Sequence, residues 1–286
     1  MPPADQSDLA PATNADAATV ASFGDEWSTF DQSQLSAAER QRLFDRYFHV
    51  FPWSILPADA EGFDMGCGSG RWAKMVAPRV GLVNCIDLSE EALAVARRNL
   101  AGVANVRFYR ASVDNPPIQD SSQDFGYSLG VLHHVPDTQA ALNVCVRLLK
   151  SGAPFLVYLY YRFDNRPWWY RMAWRASELA RRGISRLSPR PKHLATDAIA
   201  LFVYLPLSRF AMLVEKLGID PIALPLADYR RFSWYTLRTD SRDRFGTPLE
   251  QRFTRLEIQS MMERAGLRSI QFFDDQPFWC ASGIKA

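Results

Sequence analysis

A chain of 286 residues with 48% hydrophobic and 22% charged side chains has globular composition, which excludes a collagen-like, coiled-coil or wholly disordered protein. At roughly 150 residues per domain, the length allows two domains or one α/β domain carrying a large insertion. Lys and Arg number 33 against 31 Asp and Glu, so affinity resting on the phosphate backbone of nucleic acid is not expected. Residues 160–250 are the exception, with 16 Lys and Arg against 9 Asp and Glu, and can face an anionic partner.

Residues 1–22 begin without a basic, apolar leader and read as a disordered tail. A helical segment is expected over 23–60. The four cysteines, Cys67, Cys85, Cys145 and Cys280, form no C-x-x-C pair, which argues against a zinc cluster or disulfide framework and for a reducing, cytoplasmic setting. From residue 61 to 161 short apolar runs alternate with helical patterns, as in βαβ units. The expected strands are Gly62 to Met65, Leu82 to Asp87, Val106 to Ala111, Phe125 to Leu129 and Pro154 to Tyr161. Ser89 and Asp137 are placed to cap the helices that follow the second and fourth strands. Over 162–250 the alternation stops, and an aromatic- and arginine-rich stretch reads as an inserted, mainly helical cap. Its run from Ala198 to Leu217 contains Pro206 and is expected to form buried cap helices without stable membrane insertion. Residues 251–286 return to the core with a helix over Thr254 to Ala265 and two strands, Leu267 to Phe273 and Phe278 to Ile284, close enough to form an antiparallel hairpin. The expected fold class is α/β: a doubly wound, Rossmann-like sheet, mostly parallel, with a C-terminal antiparallel hairpin and a helical cap.

The sharpest motif is Asp64-Met65-Gly66-Cys67-Gly68-Ser69-Gly70 at the end of the first strand. Glycines there let the backbone approach a ligand and adopt positive φ. Asp87 ends the second strand, where a carboxylate can accept from both hydroxyls of a ribose, so the pair points to an adenosine-bearing ligand. A nicotinamide site wants Gly or Ala at position 71, and this chain has Arg71. No Lys-Ser or Lys-Thr follows the glycines, which excludes a phosphate-binding P-loop.

Together with Asp87-Leu88-Ser89, Leu129-Gly130-Val131-Leu132-His133-His134-Val135 and Arg147-Leu148-Leu149-Lys150-Ser151-Gly152, the D-x-G-x-G-x-G loop resembles the class I S-adenosylmethionine-dependent methyltransferases. The resemblance implies S-adenosylmethionine as cofactor. It would place Asp64, Gly66, Cys67, Gly68 and Gly70 around the methionine part, Asp87 on the ribose, Leu88 against the adenine, and the backbone near Leu129 on the cofactor amino group. Where the family usually carries an acid after the third strand, this chain has Ser112 and Val113, with Asp114 two positions late. Ser112 or Val113 is expected to meet the adenine. Asn115-Pro116-Pro117-Ile118 is similar to the N-P-P-aromatic motif of nucleic-acid amino-methyltransferases, but it follows the wrong strand and lacks the aromatic ring that would stack on a base.

His134, with His133 second, is the candidate general base, because both follow the fourth strand at the sheet edge where ligands bind. The candidate acceptor contacts are Tyr160, Arg162, Asp164, Arg166, Tyr229 and Tyr235. Their charges suit a small-molecule acceptor of anionic character. Methyl transfer to oxygen is expected ahead of nitrogen or carbon, with no metal. A nicotinamide oxidoreductase and a non-catalytic adenosyl-ligand-binding subunit are the alternatives, and a homo-oligomer stays open.

Overall fold

The computed structural model describes residues 14–286, so the first 13 residues of the expected tail lie outside the described residues. Helix α1 (Ala17–Thr29) starts where Asp16 caps it by accepting from the Thr19 amide, and α2 (Ala37–Tyr47) where Ser36 accepts from Glu39. The expectation of disorder through residue 22 is therefore corrected from Ala17 onward. The tertiary partners of α1 supply what its weak sequence pattern does not, since Asp25 pairs with Arg242 and His193.

The core follows as β1 (Glu61–Met65), the short α3 (Ala73–Val76), β2 (Leu82–Asp87), α4 (Glu90–Asn99), β3 (Val106–Arg110), β4 (Phe125–Leu129), α5 (Thr138–Leu148) and β5 (Pro154–Tyr158). Ser89 and Asp137 cap α4 and α5. Strand β5 ends three residues before the expected Tyr161, which bridges only to Phe253. Helix α6 (Trp168–Ile184) follows. A continuous helix then comprises α7 (Pro189–Ile199), a π-helical stretch over Ala200–Tyr204 and α8 (Leu205–Lys216). Helix α9 (Trp234–Gly246) completes the insertion. Helix α10 (Arg255–Arg264), closed by a Thr254/Glu257 capping box, then leads into β6 (Leu267–Phe272) and β7 (Ala281–Lys285).

These strands make one seven-stranded sheet in the order β3-β2-β1-β4-β5-β7-β6. Strands β1 to β5 are parallel, and β7 runs antiparallel between β5 and β6. The doubly wound α/β fold with its closing hairpin is therefore present as expected. Period-2 burial splits the core. Phe63, Phe155 and Val157 meet α5 and α10 on one face, while Phe125, Tyr127 and Leu156 meet α2, α3 and α4 on the other. Strand order reverses between β1 and β4, and the crevice at their carboxyl ends is where such sheets bind ligands.

Two glycines let β1 and β4 lie together. Gly62 is in register with Phe125 and Phe63 with Gly126. A Cβ on Gly62 would stand 2.4 Å from the Phe125 ring, and one on Gly126 2.3 Å from the Phe63 ring. Each ring covers the neighbouring strand's glycine in a core without slack. Gly62→Ala is accordingly expected to destabilise the protein by about 1–3 kcal/mol, read as a lower midpoint in chemical denaturation at unchanged slope.

The cap packs α6 and α7 against α9, which also meets α1. Its own core is small, with Tyr204, Leu237 and Phe245 buried together. The expectation that residues 198–217 form buried helices is corrected: Phe202 is 74% and Leu217 68% exposed. Ala200, Tyr204, Ser208 and Ala211 face inward, but no further layer covers the outer side.

Candidate active site

The carboxyl ends of β1, β2 and β4, the chain after β3, helix α1 and the cap enclose a cavity of about 550 Å³. Gly66, Cys67, Gly68, Asp87, Leu88, Ser112, Val113 and Leu129 all line it. Gly66 sits at φ +79° with a would-be Cβ 2.4 Å from Val131, and Gly68 at φ +52° with one 2.9 Å from the Trp27 indole, so neither tolerates a side chain. The Asp87 carboxylate braces the loop by accepting from the Gly68 amide at 2.9 Å and the Ser89 amide at 2.9 Å. Each oxygen keeps a lone pair for a ligand.

Two expected cofactor contacts are corrected. Gly70 faces α4, where an added Cβ would meet Leu100 at 2.8 Å; it is a packing glycine outside the cavity wall. Asp64 lies beneath the loop, 1% exposed, and neither oxygen finds a hydrogen-bond partner. Burial pushes its pKa up to about 8, with Tyr127 pulling the other way. Asp114 is held to the Asn14 amide at 3.3 Å, away from the wall.

The segment Phe23 to Trp27, on α1, closes the cavity. Trp27 covers Gly68, and Arg71 packs its guanidinium over Trp72 at 4.5 Å and Trp27 at 5.7 Å. Phe23 sets its edge against His134 at 4.9 Å. Glu26 lines the wall at 2% exposure, its carboxyl held well above the usual range by burial and by Asp243.

Of the two histidines, only His134 reaches the cavity. Its Nδ1 is 2.7 Å from the Leu249 carbonyl. A carbonyl can only accept, so Nδ1 carries the proton and Nε2 presents its lone pair. Nε2 has no hydrogen-bond partner and stands 3.9 Å from Asp243 Oδ1, which is likewise unpartnered. Burial lowers the His134 pKa and the Asp243 charge partly restores it. Asp243 accepts from the Tyr160 hydroxyl, and burial raises its own pKa. His133 is corrected as a candidate: it is fully buried, stacks on Tyr160 at 3.9 Å, and stays outside the wall.

Of the candidate acceptor contacts, Tyr160, Tyr229 and Tyr235 line the cavity, and Arg162, Asp164 and Arg166 do not. Phe163 turns into the cavity, while Arg162 and Asp164 on either side of it are held by the start of α10 and the β6–β7 loop, and Arg166 by the cap. Arg162 binds Glu257 and the Arg252 carbonyl, Asp164 accepts from the Trp279 indole at 2.9 Å, and Arg166 donates to the Ile222 carbonyl at 2.6 Å. In their place the wall holds Asp240, Asp243 and Arg252. Burial and the neighbouring Asp243 charge push Asp240 up to about 7. Arg252 is paired with Glu250 at 2.7 Å and lies over the Tyr160 ring at 5.0 Å. The sequence reading did not single out Asp243. The i, i+3 pair Asp240 and Asp243, one turn after Thr236 and Thr239 on α9, was the signal, because it places polar groups on a face the helix buries.

Comparison with known proteins gives the same domain. A family model described as "Methyltransferase domain" matches residues 63–157, a third of the chain. Ubiquinone biosynthesis O-methyltransferase from Xanthomonas oryzae pv. oryzae (strain PXO99A) is 33% identical over 144 residues, covering 50% of this chain and 57% of that one. Demethylmenaquinone methyltransferase from Staphylococcus epidermidis (strain ATCC 35984) is 30% identical over 108 residues, covering 36% and 44%. The chain thus spans about half the length of these curated relatives. A solved structure described as a SAM dependent methyltransferase from Aquifex aeolicus superposes with a TM-score of 0.49 at 14% identity, covering 90% of this chain and 96% of that one.

Proposed function

Residues 63–157 of this chain belong to the class I S-adenosylmethionine-dependent methyltransferases, and from that premise we propose that the protein methylates a hydroxyl group on a small, largely apolar molecule, with His134 as the base. The observation that carries this reading is the His134 side chain, on a residue that lines the cavity: one nitrogen is tied to a backbone carbonyl, and the other is buried and unpartnered 3.9 Å from Asp243.

The residues present fit the cofactor. Asp87 keeps free lone pairs beside a loop whose glycines admit no side chain. Asp87 would hold the ribose, Leu88, Ser112 and Val113 the adenine, and the backbone of Gly66, Gly68 and Leu129 the amino-acid end. When bound, S-adenosylmethionine supplies an electrophilic methyl group on sulfur.

The protein's own contribution is placement and proton removal. Trp27, Phe23 and the cap exclude water, and holding a hydroxyl in line is worth much of the barrier. His134 Nε2 takes the hydroxyl proton as the oxygen attacks. The resulting imidazolium sits next to the Asp243 carboxylate, which Tyr160 keeps oriented by its hydrogen bond. Neutral His134 is the resting form near pH 7, since burial lowers its pKa. Phe163, Trp174, Tyr161, Phe278 and Leu207 also line the cavity, a surface for an aromatic or aliphatic body. Arg46, Arg244 and Arg252 of the wall are already paired with Asp228, Glu178 and Glu250, which favours a neutral phenol over the anionic acceptor of the sequence reading. The names of the two relatives above accord with transfer to small molecules.

Incubation with methyl-labelled S-adenosylmethionine and a panel of phenols, carboxylic acids and amines tests the proposal. Label on phenols supports it. Label confined to acids or amines, or binding of NAD(H) in place of the sulfonium, overturns it.

A further inference from the structure

The described surface concentrates its apolar area on one side of the cap. Of 18 large apolar side chains that stand exposed, 15 lie between Trp168 and Ile222. On α6, Trp168 and Leu179 are each 71% exposed, and Met172 lies between them at helical spacing. On the continuous helix Pro189–Lys216, Leu194, Phe202 and Phe210 form a second outward stripe. That helix is long and apolar enough to cross a membrane, yet only 22% of its apolar window is buried. Patches of this extent mark an interaction surface rather than ordinary scatter.

Cations edge the stripe. Arg171, Arg175 and Arg182 repeat at intervals of four and seven along α6 beside Trp168, Met172 and Leu179, and all three are exposed. Arg171, Arg175, Arg186 and Arg190 make no ion pair among the described residues, and Arg182 makes only a 3.5 Å contact with Glu178. An exposed apolar face with Trp at its start and unpaired arginines along one edge suits an anionic lipid surface.

We propose that the outer face of α6 and α7–α8 docks the protein onto an anionic bilayer, lying in the interface rather than spanning it. Spanning is precluded by how the long helix is fastened. Asp197 forms a two-point pair with Arg238 on α9, Arg209 donates to the Arg230 carbonyl at 2.9 Å, and Lys192, Thr196 and Ser208 are buried on its inner side. A second copy of this chain fits the face poorly, because a two-fold contact would bring the same arginine edges together. The docking face also borders the cavity: Tyr170 and Trp174 of α6 and Val203 and Leu207 of the long helix line it, and Val203 and Leu207 are also exposed outward. Resting on the function proposed above, this continuity gives an amphiphilic acceptor a short path from lipid to His134.

The test is sedimentation of the full chain with vesicles of phosphatidylcholine alone or mixed with phosphatidylglycerol. Cosedimentation with the mixed vesicles, weakened by salt, is expected. Arg171→Ala with Arg175→Ala should lower the partition coefficient roughly tenfold to thirtyfold, and Phe202→Asp with Leu194→Asp should abolish binding while thermal stability and methyl transfer to a soluble phenol are kept. No binding to either vesicle overturns the proposal. So does a dimer in sedimentation velocity that Phe202→Asp dissociates, which would assign the face to a second copy. Loss of methyl transfer in the unaltered protein would overturn the reading of the active site and leave the vesicle result standing.

Discussion

His134→Gln lowers the rate of methyl transfer by about 10²- to 10⁴-fold, the usual contribution of a positioned base, while cofactor affinity stays close to that of the parent protein. Glutamine can still donate to the Leu249 carbonyl that Nδ1 meets at 2.7 Å, so local packing is preserved and the missing function is the lone pair at Nε2. The pH dependence gives a second readout. His134 must be neutral to act, and burial puts its pKa below the ordinary 6.5. The rate should therefore be level through neutrality and fall only on the acid side as the ring protonates. Asp243 raises the His134 pKa, so Asp243→Asn moves that acid limb to lower pH. The same substitution slows transfer by less than His134→Gln does, because it weakens support for the imidazolium without removing the base. A rate profile of the two variants on one phenol checks both. An unmoved acid limb in Asp243→Asn, or a fall of less than tenfold in His134→Gln, removes His134 from the chemistry.

Stability shifts in the same pH region must be separated from catalysis. A buried His134 with a depressed folded-state pKa binds its proton more weakly than it would in the unfolded chain. The unfolded state then holds more protons as pH falls through about 6.5, and the native state loses stability there. Initial rates at each pH, checked for recovery on return to neutrality, distinguish reversible titration from unfolding.

What was legible in the sequence was local. Ser89, Asp137 and the Thr254/Glu257 box each announce a helix start through bonds made within three residues. The strands β1, β2 and β4 have apolar runs closed by the residues that turn the chain. Asp87 follows from its place at a strand end. The errors fall where a side chain's role depends on distant partners. Asp243 meets His134 across 109 positions of chain, and nothing in the spacing of either residue encodes that meeting. Gly70 and Gly68 look equivalent in the loop, yet one backs onto Leu100 of the α4 packing and the other onto the cavity. Arg162, Asp164 and Arg166 follow β5 closely enough in sequence to read as acceptor contacts. Tertiary bonds to Glu257, Trp279 and Ile222 hold their polar ends instead. The apolar run over 198–217 reveals that the helix wants a partner but not whether the fold supplies one, and Phe202 at 74% exposure shows that it does not.

Asp87→Ala should raise the dissociation constant for S-adenosylmethionine about 10- to 100-fold, since hydrogen bonds to a charged group contribute about 1.5–3 kcal/mol and 1.4 kcal/mol is a factor of ten. The carboxylate has two duties that this variant removes together. Its oxygens fix the Gly68 and Ser89 amides, and their remaining lone pairs face the cavity. Asp87→Asn keeps the shape of the side chain, but its amide oxygen accepts only one of the two loop bonds, and its nitrogen faces the other loop N–H as a second donor. Calorimetric titration and thermal melting of both variants without ligand then give two independent numbers. Affinity should fall in both variants, and so should the melting temperature, since each loses at least one loop bond. If melting falls and affinity for the sulfonium does not, Asp87 is only a brace for the glycine loop, and the ribose must be held elsewhere along the wall. If neither changes, the loop is set by Gly66 and Gly68 alone, and the placement of the cofactor along β1 and β2 has to be withdrawn.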